Sequence, residues 1–250
     1  MTEIDLSASS EIHLIGAGGA GMNGIGAVLC EMGHHVTGSD IRESPGVTRL
    51  RALGVQVAIG HSPANVTTSQ LVARSTAIAD DNEEVMEARL IGATVLSRAD
   101  ILTAICKLKV TIAVAGTHGK TTTSSMLSLA LVSAGLRPSF IIGGDLNEIG
   151  SGSVWDRNGD LFVVEADESD GTFTQLGAHA VVVTNIECDH LDYYGSMEAI
   201  NDAFEDFARA AKGPKIICID DIGAGLLAKK LEQCTTYGEH SESDYRIANV

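Results

Sequence analysis

The amino-acid sequence predicts an α/β protein built from two parallel-sheet domains in series. Short runs of β-branched residues alternate with helical stretches, two of these runs lead directly into glycine loops, and 27 glycines are accompanied by only 4 prolines. Continuous apolar strands separated by helices are typical of parallel sheets covered on both faces. We therefore expect a Rossmann-like domain over residues 1–107 and a P-loop-type domain over residues 108–250.

The strands of both domains are predicted where short, continuous apolar runs lie between polar segments. In the first domain these runs are residues 12–15, 36–38, 55–59, 71–73 and 94–96. In the second domain they are residues 110–115, 140–142, 161–164, 180–184 and 215–219. Three stretches are predicted as helices, namely residues 82–91, 121–134 and 197–211, and residues 244–250 predict the start of a further strand.

Composition excludes several classes of protein. The chain carries 33 acidic and 17 basic residues, a formal net charge of −16, whereas nucleic-acid-binding proteins cluster Lys and Arg against phosphates. No apolar run approaches the roughly 18 residues of a membrane span, and the acidic N-terminus lacks the basic start of a signal peptide. Five cysteines without a CxxC pair predict free thiols. We expect a cytoplasmic protein that binds neither nucleic acid nor membrane; its oligomeric state is not predicted.

The first glycine loop follows the first predicted strand. Gly16, Gly18 and Gly21 fit the pattern GxGxxG, Gly19 lies between them, and Asp40 ends the next strand. Such glycines let backbone N–H groups approach a diphosphate at a helix N-terminus, and the acidic residue typically accepts a ribose hydroxyl. Taken alone, the pattern is typical of an NAD-binding domain. The pattern predicts a diphosphate site without identifying the ligand, and tight packing of a helix on a strand remains the alternative.

The second glycine loop is the strongest signal in the sequence. Another strand leads into Gly-x-x-Gly-Lys-Thr, two residues shorter than the common P-loop, and a helix follows. Backbone N–H groups of such a loop cradle phosphates, its lysine reaches the terminal phosphates and a threonine hydroxyl binds Mg²⁺. The candidate nucleotide-binding residues are Gly116, Thr117, His118, Gly119, Lys120, Thr121 and Thr122.

Acidic residues follow two further strands of the second domain. The first group is Glu165, Asp167, Glu168 and Asp170, and the second is Glu187, Asp189 and Asp192 together with the imidazole of His190. Because ligands of open α/β sheets bind where strands end at their carboxyl edge, both groups are expected to face the P-loop. Carboxylates with a threonine hydroxyl form a hard site suited to Mg²⁺, which an imidazole can complete. A solvated acidic loop is the alternative, and a nucleophile made of Cys188 and His190 is disfavoured because no third orienting group accompanies them.

Six segments together resemble the Mur ligases of peptidoglycan synthesis. They are residues 16–26, 75–82, 116–122, 142–144, 165–170 and 184–192, and they occur in the order of that family. The resemblance extends over about residues 12–250. Within the family, residues 165–173 are similar to the members that add L-alanine, since ligases that recycle murein tripeptide tend to carry an aromatic residue where Ser169 stands.

The resemblance implies a role for each candidate residue. Gly16, Gly18, Gly19 and Gly21 would contact the diphosphate of UDP-N-acetylmuramate, with Asp40 near the uridine, and residues 116–122 would hold ATP. Thr121, Glu165 and His190 would bind Mg²⁺, and the catalytic residues would be Lys120, Glu165 and His190.

The reaction implied by the resemblance is an ATP-dependent ligation. ATP phosphorylates the lactyl carboxylate of UDP-N-acetylmuramate, the amine of L-alanine attacks the acyl phosphate, and phosphate leaves. Family members have three domains, so we expect the central domain to be incomplete here, the C-terminal domain to be absent and the chain alone to be inactive. A murein tripeptide recycling ligase, a non-catalytic UDP-sugar-binding module and, more remotely, an NAD-dependent oxidoreductase are the alternatives.

Overall fold

The computed structural model describes residues 4–248, and contacts between residues divide the chain into two units. The first unit groups the chain up to Leu108 with Asp145–Asn158, and the second groups Lys109–Gly144 with the chain from Gly159 onward. Both units are built on parallel sheets. No helix among the described residues is long and apolar enough to span a membrane.

The sheet of the first unit has five strands in the order β3-β2-β1-β4-β5, and every neighbouring pair is parallel. Its strands are β1 Glu11–Ile15, β2 His35–Asp40, β3 Gln56–Ile59, β4 Leu71–Arg74 and β5 Thr94–Ser97. All five predicted strands are confirmed. Because parallel strands point the same way, the glycine loop after β1 and the end of β2 lie at one edge of the sheet.

Four helices and a short 3₁₀ helix connect these strands. They are α1 Ala20–Met32, α2 Pro45–Ala52, α3 Glu83–Leu90, α4 Arg98–Cys106 and the 3₁₀ helix Pro63–Val66. Local chemistry explains where several of them begin. Ser44 caps α2 by accepting from the N–H of Val47, and Ser97 and Asp100 form a reciprocal capping box at α4. The predicted helix at residues 82–91 is α3, capped by Asn82.

The second sheet has eight strands in the order β13-β12-β11-β10-β6-β9-β7-β8. Its strands are β6 Val110–Ala115, β7 Ser139–Leu146, β8 Ser151–Val154, β9 Leu161–Glu165, β10 Ala180–Val183, β11 Lys215–Cys218, β12 Thr235–Gly238 and β13 Tyr245–Arg246. The five predicted strands are confirmed, and β13 lies within the segment 244–250, whose last two positions are outside the described residues. Strands β8 and β12 were not predicted.

Helices of the second unit follow the strands that carry the candidate site. They are α5 Lys120–Ser133, α6 Leu191–Tyr194, α7 Met197–Ala210, α8 Ile222–Lys230 and the 3₁₀ helix Thr172–Gln175. Helix α7 is held by aromatic packing, since Phe173 lies 5.1 Å from Phe204 and 4.9 Å from Phe207 between ring centroids. The predicted helices at residues 121–134 and 197–211 are therefore α5 and α7.

The segment Asp145–Asn158 groups with the first unit although it lies in the middle of the sequence. Asp145 accepts a hydrogen bond from the guanidinium of Arg49 at 2.9 Å, and Arg157 donates to the carbonyl of Glu31 at 2.9 Å. These polar contacts join the segment to α1 and α2. The division of the sequence at residues 107 and 108 stays a prediction, but it does not describe this segment.

Candidate functional site

Backbone hydrogen bonds fix the conformation of the first glycine loop. The N–H groups of Gly16 and Ala17 both donate to the carbonyl of Ser39 at 2.9 Å, and Gly16 has a positive φ of 77°. Gly19 precedes α1 and provides no side-chain cap. The free N–H groups of the first turn of α1 are therefore available to an anion, as the motif predicts.

Gly18 and Asp40 hold this loop against β2. The N–H of Gly18 donates to Oδ2 of Asp40 at 2.9 Å, so this carboxylate oxygen supports the loop. A Cβ on Gly18 would collide with the hydroxyl of Ser44 and with Val47, which explains why glycine is needed at this position. Contact of Asp40 with a ribose stays a prediction.

Arg98 is a residue of this site that sequence reasoning missed. Its Nη1 lies 3.0 Å from the position that a Cβ on Gly21 would occupy, which puts a guanidinium beside the loop. Arginine is the side chain best suited to bind phosphate oxygens. The residue starts α4 and is far from the loop in sequence, so no local motif identifies it.

A buried carboxylate, Glu84, supports the same edge of the first sheet. Its oxygens accept hydrogen bonds from Ser39 at 2.5 Å, from Asn65 at 2.5 Å and from His61 at 2.9 Å, and the side chain is fully buried. Burial alone would raise the pKa of Glu84, but contacts with His13 and these three donors outweigh it and lower the pKa to about 2. Glu84 is therefore a carboxylate at neutral pH.

The second glycine loop has the backbone geometry of a phosphate loop. Gly116 has φ 142° and Gly119 has φ 79°, both in the region that glycine adopts without strain. Gly119 precedes α5 without a side-chain cap, so the N–H groups at the start of that helix are free to bind an anion. A Cβ on Gly116 would overlap the hydroxyl of Thr184.

Side chains from the end of β10 support this loop. The amide of Asn185 accepts from the N–H of His118 at 2.8 Å and donates to the carbonyl of the same residue at 2.9 Å. Thr184 also donates to that carbonyl, at 2.7 Å, and the hydroxyl of Thr117 accepts from the N–H of Glu187 at 2.9 Å. The side chain of His118 itself is exposed.

Lys120, the first residue of α5, points its ammonium back into the loop. Nζ donates to the carbonyl of Gly116 at 2.6 Å, to the carbonyl of Thr117 at 3.3 Å and to Oε1 of Glu168 at 2.8 Å. The side chain of Glu168 is only 4% exposed, and its Oε2 has no hydrogen-bond partner. The loop lysine is thus paired with a buried carboxylate at the carboxyl end of β9.

Thr121 and Glu165 form the second part of the site. The threonine hydroxyl lies 3.0 and 3.1 Å from the two carboxylate oxygens, and the N–H of Gly143 donates to Oε2 of Glu165 at 2.7 Å. A carboxylate and a hydroxyl at this spacing are the oxygen ligands that Mg²⁺ prefers, so the donor set fits this ion. Two of the three predicted metal-binding residues are therefore in direct contact.

His190 lies near a different carboxylate. Its Nε2 is 4.0 Å from Oε1 of Glu168 and 3.8 Å from Oδ2 of Asp189. It has φ 53°, the only positive value at a non-glycine position between residues 4 and 248. Over the same residues, no group of three His, Cys, Asp or Glu side chains is arranged to hold a metal ion.

Tyr194 fixes the backbone beneath Glu168. Its hydroxyl donates to the carbonyl of Glu168 at 2.6 Å. Burial, together with the charges of the neighbouring acidic residues, raises the pKa of Tyr194, so the hydroxyl remains a donor at neutral pH. Glu168 was predicted only as one of the acidic residues that face the P-loop, and Tyr194 was not predicted, because their contacts span 48 and 26 positions of the sequence.

Comparison with known proteins gives the same result for both parts of the chain. Residues 11–109 match the Mur ligase family, catalytic domain, and residues 114–250 match the Mur ligase middle domain. A UDP-N-acetylmuramate–L-alanine ligase of Solidesulfovibrio magneticus is 46% identical over 91% of this chain and 50% of its own length. The chain therefore spans about half the length of such curated relatives.

Solved structures show the same fold. The UDP-N-acetylmuramate–alanine ligase of Thermotoga maritima is 31% identical with a TM-score of 0.82, covering 92% of this chain and 52% of that one. A UDP-N-acetylmuramate:L-alanyl-γ-D-glutamyl-meso-diaminopimelate ligase from Neisseria is 28% identical with a TM-score of 0.83, covering 92% and 78%. With both domain families matched in order along the sequence, the chain belongs to the Mur ligase family.

Proposed function

We propose that this chain forms the UDP-sugar-binding and ATP-binding parts of an ATP-dependent UDP-N-acetylmuramate–L-alanine ligase. The observation that carries the proposal is the arrangement of Lys120 next to the Thr121–Glu165 pair, at the carboxyl edge of a parallel sheet in a Mur ligase middle domain. Identity of 42–46% to several ligases of that name supports the choice of L-alanine as the amino acid.

ATP would bind along residues 116–122, with its phosphates on the free N–H groups at the start of α5. Lys120 would contact the terminal phosphates. Thr121 and Glu165 would hold Mg²⁺, which screens the charge of the phosphates when it is bound, and His190 is proposed to complete the metal-binding set.

UDP-N-acetylmuramate would bind at the glycine loop of the first unit. The N–H groups that follow Gly18 and Gly19 would receive the diphosphate, and the guanidinium of Arg98 would pair with it. Asp40 would orient the loop and lie near the uridine. The local positive charge at the loop, and not the net negative charge of the protein, would therefore determine how the anionic ligand binds.

The chemistry requires local positive charge because both reacting groups are anions. A carboxylate of the sugar nucleotide attacks the γ-phosphorus of ATP, an acyl phosphate forms and ADP leaves. The amine of L-alanine then attacks the acyl carbon, and inorganic phosphate leaves after a tetrahedral intermediate. Lys120 stabilises the charge that develops on the transferred phosphoryl group, which is its proposed catalytic role.

Phosphate release by the complete ligase tests this proposal. We expect release to require ATP, UDP-N-acetylmuramate and L-alanine together, and Lys120→Ala to lower the rate about 10²-fold or more, as loss of comparable electrostatic groups does. Lys212→Ala removes an exposed lysine of the same unit and is the matched control. Unchanged turnover in Lys120→Ala would contradict the role given to this lysine.

Replacing the amino acid distinguishes the alternatives. The structural likeness to the Neisseria ligase keeps a tripeptide ligase as the second candidate, so L-alanyl-γ-D-glutamyl-meso-diaminopimelate is compared with L-alanine as the co-substrate. Turnover only with the tripeptide would assign that activity instead.

Tight NADH binding that UDP-N-acetylmuramate does not displace would favour an oxidoreductase, and sugar nucleotide binding without turnover would favour a binding module.

A further inference from the structure

Glu168 is a buried carboxylate in the candidate nucleotide site that the proposed mechanism does not use. Its side chain is 4% exposed, its Oε1 accepts from Lys120 at 2.8 Å, and its Oε2 has no hydrogen-bond partner. Its backbone is fixed at the same time, because its carbonyl accepts from Tyr194 and from the N–H of Gly171. The carboxylate is thus held in place beside the loop lysine.

The ammonium of Lys120 has no hydrogen left for a ligand. It carries three N–H donors, and three acceptors lie within hydrogen-bonding distance: the carbonyls of Gly116 and Thr117 and the carboxylate of Glu168. A phosphate oxygen that contacts Nζ must therefore displace at least one of them. Glu168 is the only charged one of the three, and it has the same sign of charge as the phosphate.

Separating this pair costs free energy. A buried carboxylate that loses its cation is left without solvation, and Oε2 of Glu168 already has no donor that would compensate. The imidazole of His190 is 4.0 Å from Oε1, outside hydrogen-bonding distance, and does not take the place of the lysine. A phosphate that takes over Lys120 therefore binds more weakly than it would beside an uncharged residue.

We propose that Glu168 is a positioning residue for Lys120: it holds the ammonium in the free chain, and a nucleotide phosphate gains Lys120 by displacing it. This inference rests on the proposed ATP-binding function of the site. It adds that the affinity of the loop for phosphate is set partly by a carboxylate that never contacts the nucleotide. Removing the charge of Glu168 should then strengthen binding, the opposite of what removal of a ligand-contacting residue does.

Calorimetric titration with ATP in EDTA tests whether a phosphate displaces Glu168 from Lys120, because no metal ion then contributes to binding. Glu168→Gln keeps the shape of the side chain but replaces a charged hydrogen bond with a weaker neutral one, so we expect ATP to bind about fivefold more tightly. Asp206→Asn removes an exposed carboxylate of the same unit that lies outside the candidate site, and it should leave the affinity unchanged. Thermal unfolding is recorded for each variant.

A second variant distinguishes the pairing of Glu168 with Lys120 from simple repulsion between Glu168 and the phosphate. It also tests the proposal if Glu168→Gln does not fold. Glu168→Asp keeps the negative charge but moves the carboxylate away from Nζ of Lys120 by about the length of one methylene group. If a phosphate must displace this carboxylate from Lys120, this variant should also bind ATP more tightly in EDTA. Wild-type affinity in Glu168→Asp together with tighter binding in Glu168→Gln would mean direct repulsion of the phosphate and would overturn the proposal. Tighter binding in both variants supports it.

Two other results are decisive. Unchanged or weaker binding in Glu168→Gln, with or without a lower melting temperature, would show that Glu168 only stabilises the fold and would overturn the proposal while leaving the proposed function intact. If the wild-type protein shows no saturable ATP binding either in EDTA or in Mg²⁺, this would overturn the proposed nucleotide site. The proposal for Glu168 would then fail with it.

Discussion

At the scale of single residues, Gly116 shows how closely the phosphate loop is packed. Its φ of 142° and the hydroxyl of Thr184 both exclude a side chain. We expect Gly116→Ala to lower ATP affinity at least about tenfold, because the loop must move to relieve a clash with buried polar groups. Gly135→Ala is the matched control: it also has a positive φ of 77°, but open space surrounds its Cβ position. Equal loss of affinity in both variants would contradict this explanation.

Glu84 makes the stability of the first unit depend on pH. Its pKa is about 2 in the folded chain and 4.5 in the reference state, so the unfolded chain takes up the proton first as the pH falls. The stabilisation, about 3 kcal/mol, is therefore complete above about pH 4.5 and is lost as the pH falls towards 2. Urea unfolding at several pH values measures it, and Glu84→Gln should flatten the curve below pH 4.5. An equally steep curve in the variant would assign the acid sensitivity to other groups.

Site residues differ in how far sequence can identify them. Lys120 and Thr121 belong to a contiguous motif, and local spacing alone places them at the start of α5. Glu168 was expected to face the P-loop, but its pairing with Lys120 becomes visible only when the fold is known, and the same holds for the position of Arg98 beside the first glycine loop. Asp40 was identified correctly as the end of β2, but one of its carboxylate oxygens binds the N–H of Gly18.

At the scale of secondary structure, apolar continuity explains which strands were predicted. Strand β10 is Ala-Val-Val-Val and fully buried, as expected for a central strand of a parallel sheet. The strands that were missed, β8 (Ser-Gly-Ser-Val) and β12 (Thr-Thr-Tyr-Gly), are polar and mostly half-buried. Strand β8 lies at one edge of the sheet and β12 lies next to the strand at the other edge, so neither is a central strand with the continuous apolar character that β10 has.

Helix α7 depends on its aromatic face. Phe204 is fully buried and packs on Phe173, so Phe204→Ala should lower the free energy of unfolding of the second unit by about 3–5 kcal/mol. Chemical denaturation measures the change. Asp206→Ala, an exposed position on the same helix, is the control and should change the free energy by less than about 0.5 kcal/mol. A small decrease in the free energy of unfolding of Phe204→Ala would mean that the surrounding core side chains move in to fill the cavity.

At the scale of the whole molecule, the single tryptophan reports on one unit. Trp155 lies in Asp145–Asn158, and its backbone N–H donates to the carboxylate of Glu31 in α1. We expect its fluorescence to follow unfolding of the first unit, so Leu50→Ala, which removes a fully buried side chain of that unit, should shift the fluorescence transition to lower urea.

Phe204→Ala is the complementary control for this measurement, since it removes a buried side chain of the second unit. It should shift the transition seen by circular dichroism and leave the midpoint of the tryptophan fluorescence in place. Equal shifts of the fluorescence midpoint in both variants would mean that the two units unfold together in one cooperative transition.

The grouping of Asp145–Asn158 with the first unit has a consequence for biosynthesis. A nascent chain leaves the ribosome from its N-terminus, and domains generally fold as they emerge. Here the first unit lacks one of its segments until Asn158 has left the exit tunnel, by which time β6, α5 and β7 of the second unit are already outside. The two units therefore mature as overlapping rather than successive events, and a nascent chain that stalls near residue 108 would expose the surfaces of α1 and α2 that Arg157 and Asp145 otherwise contact.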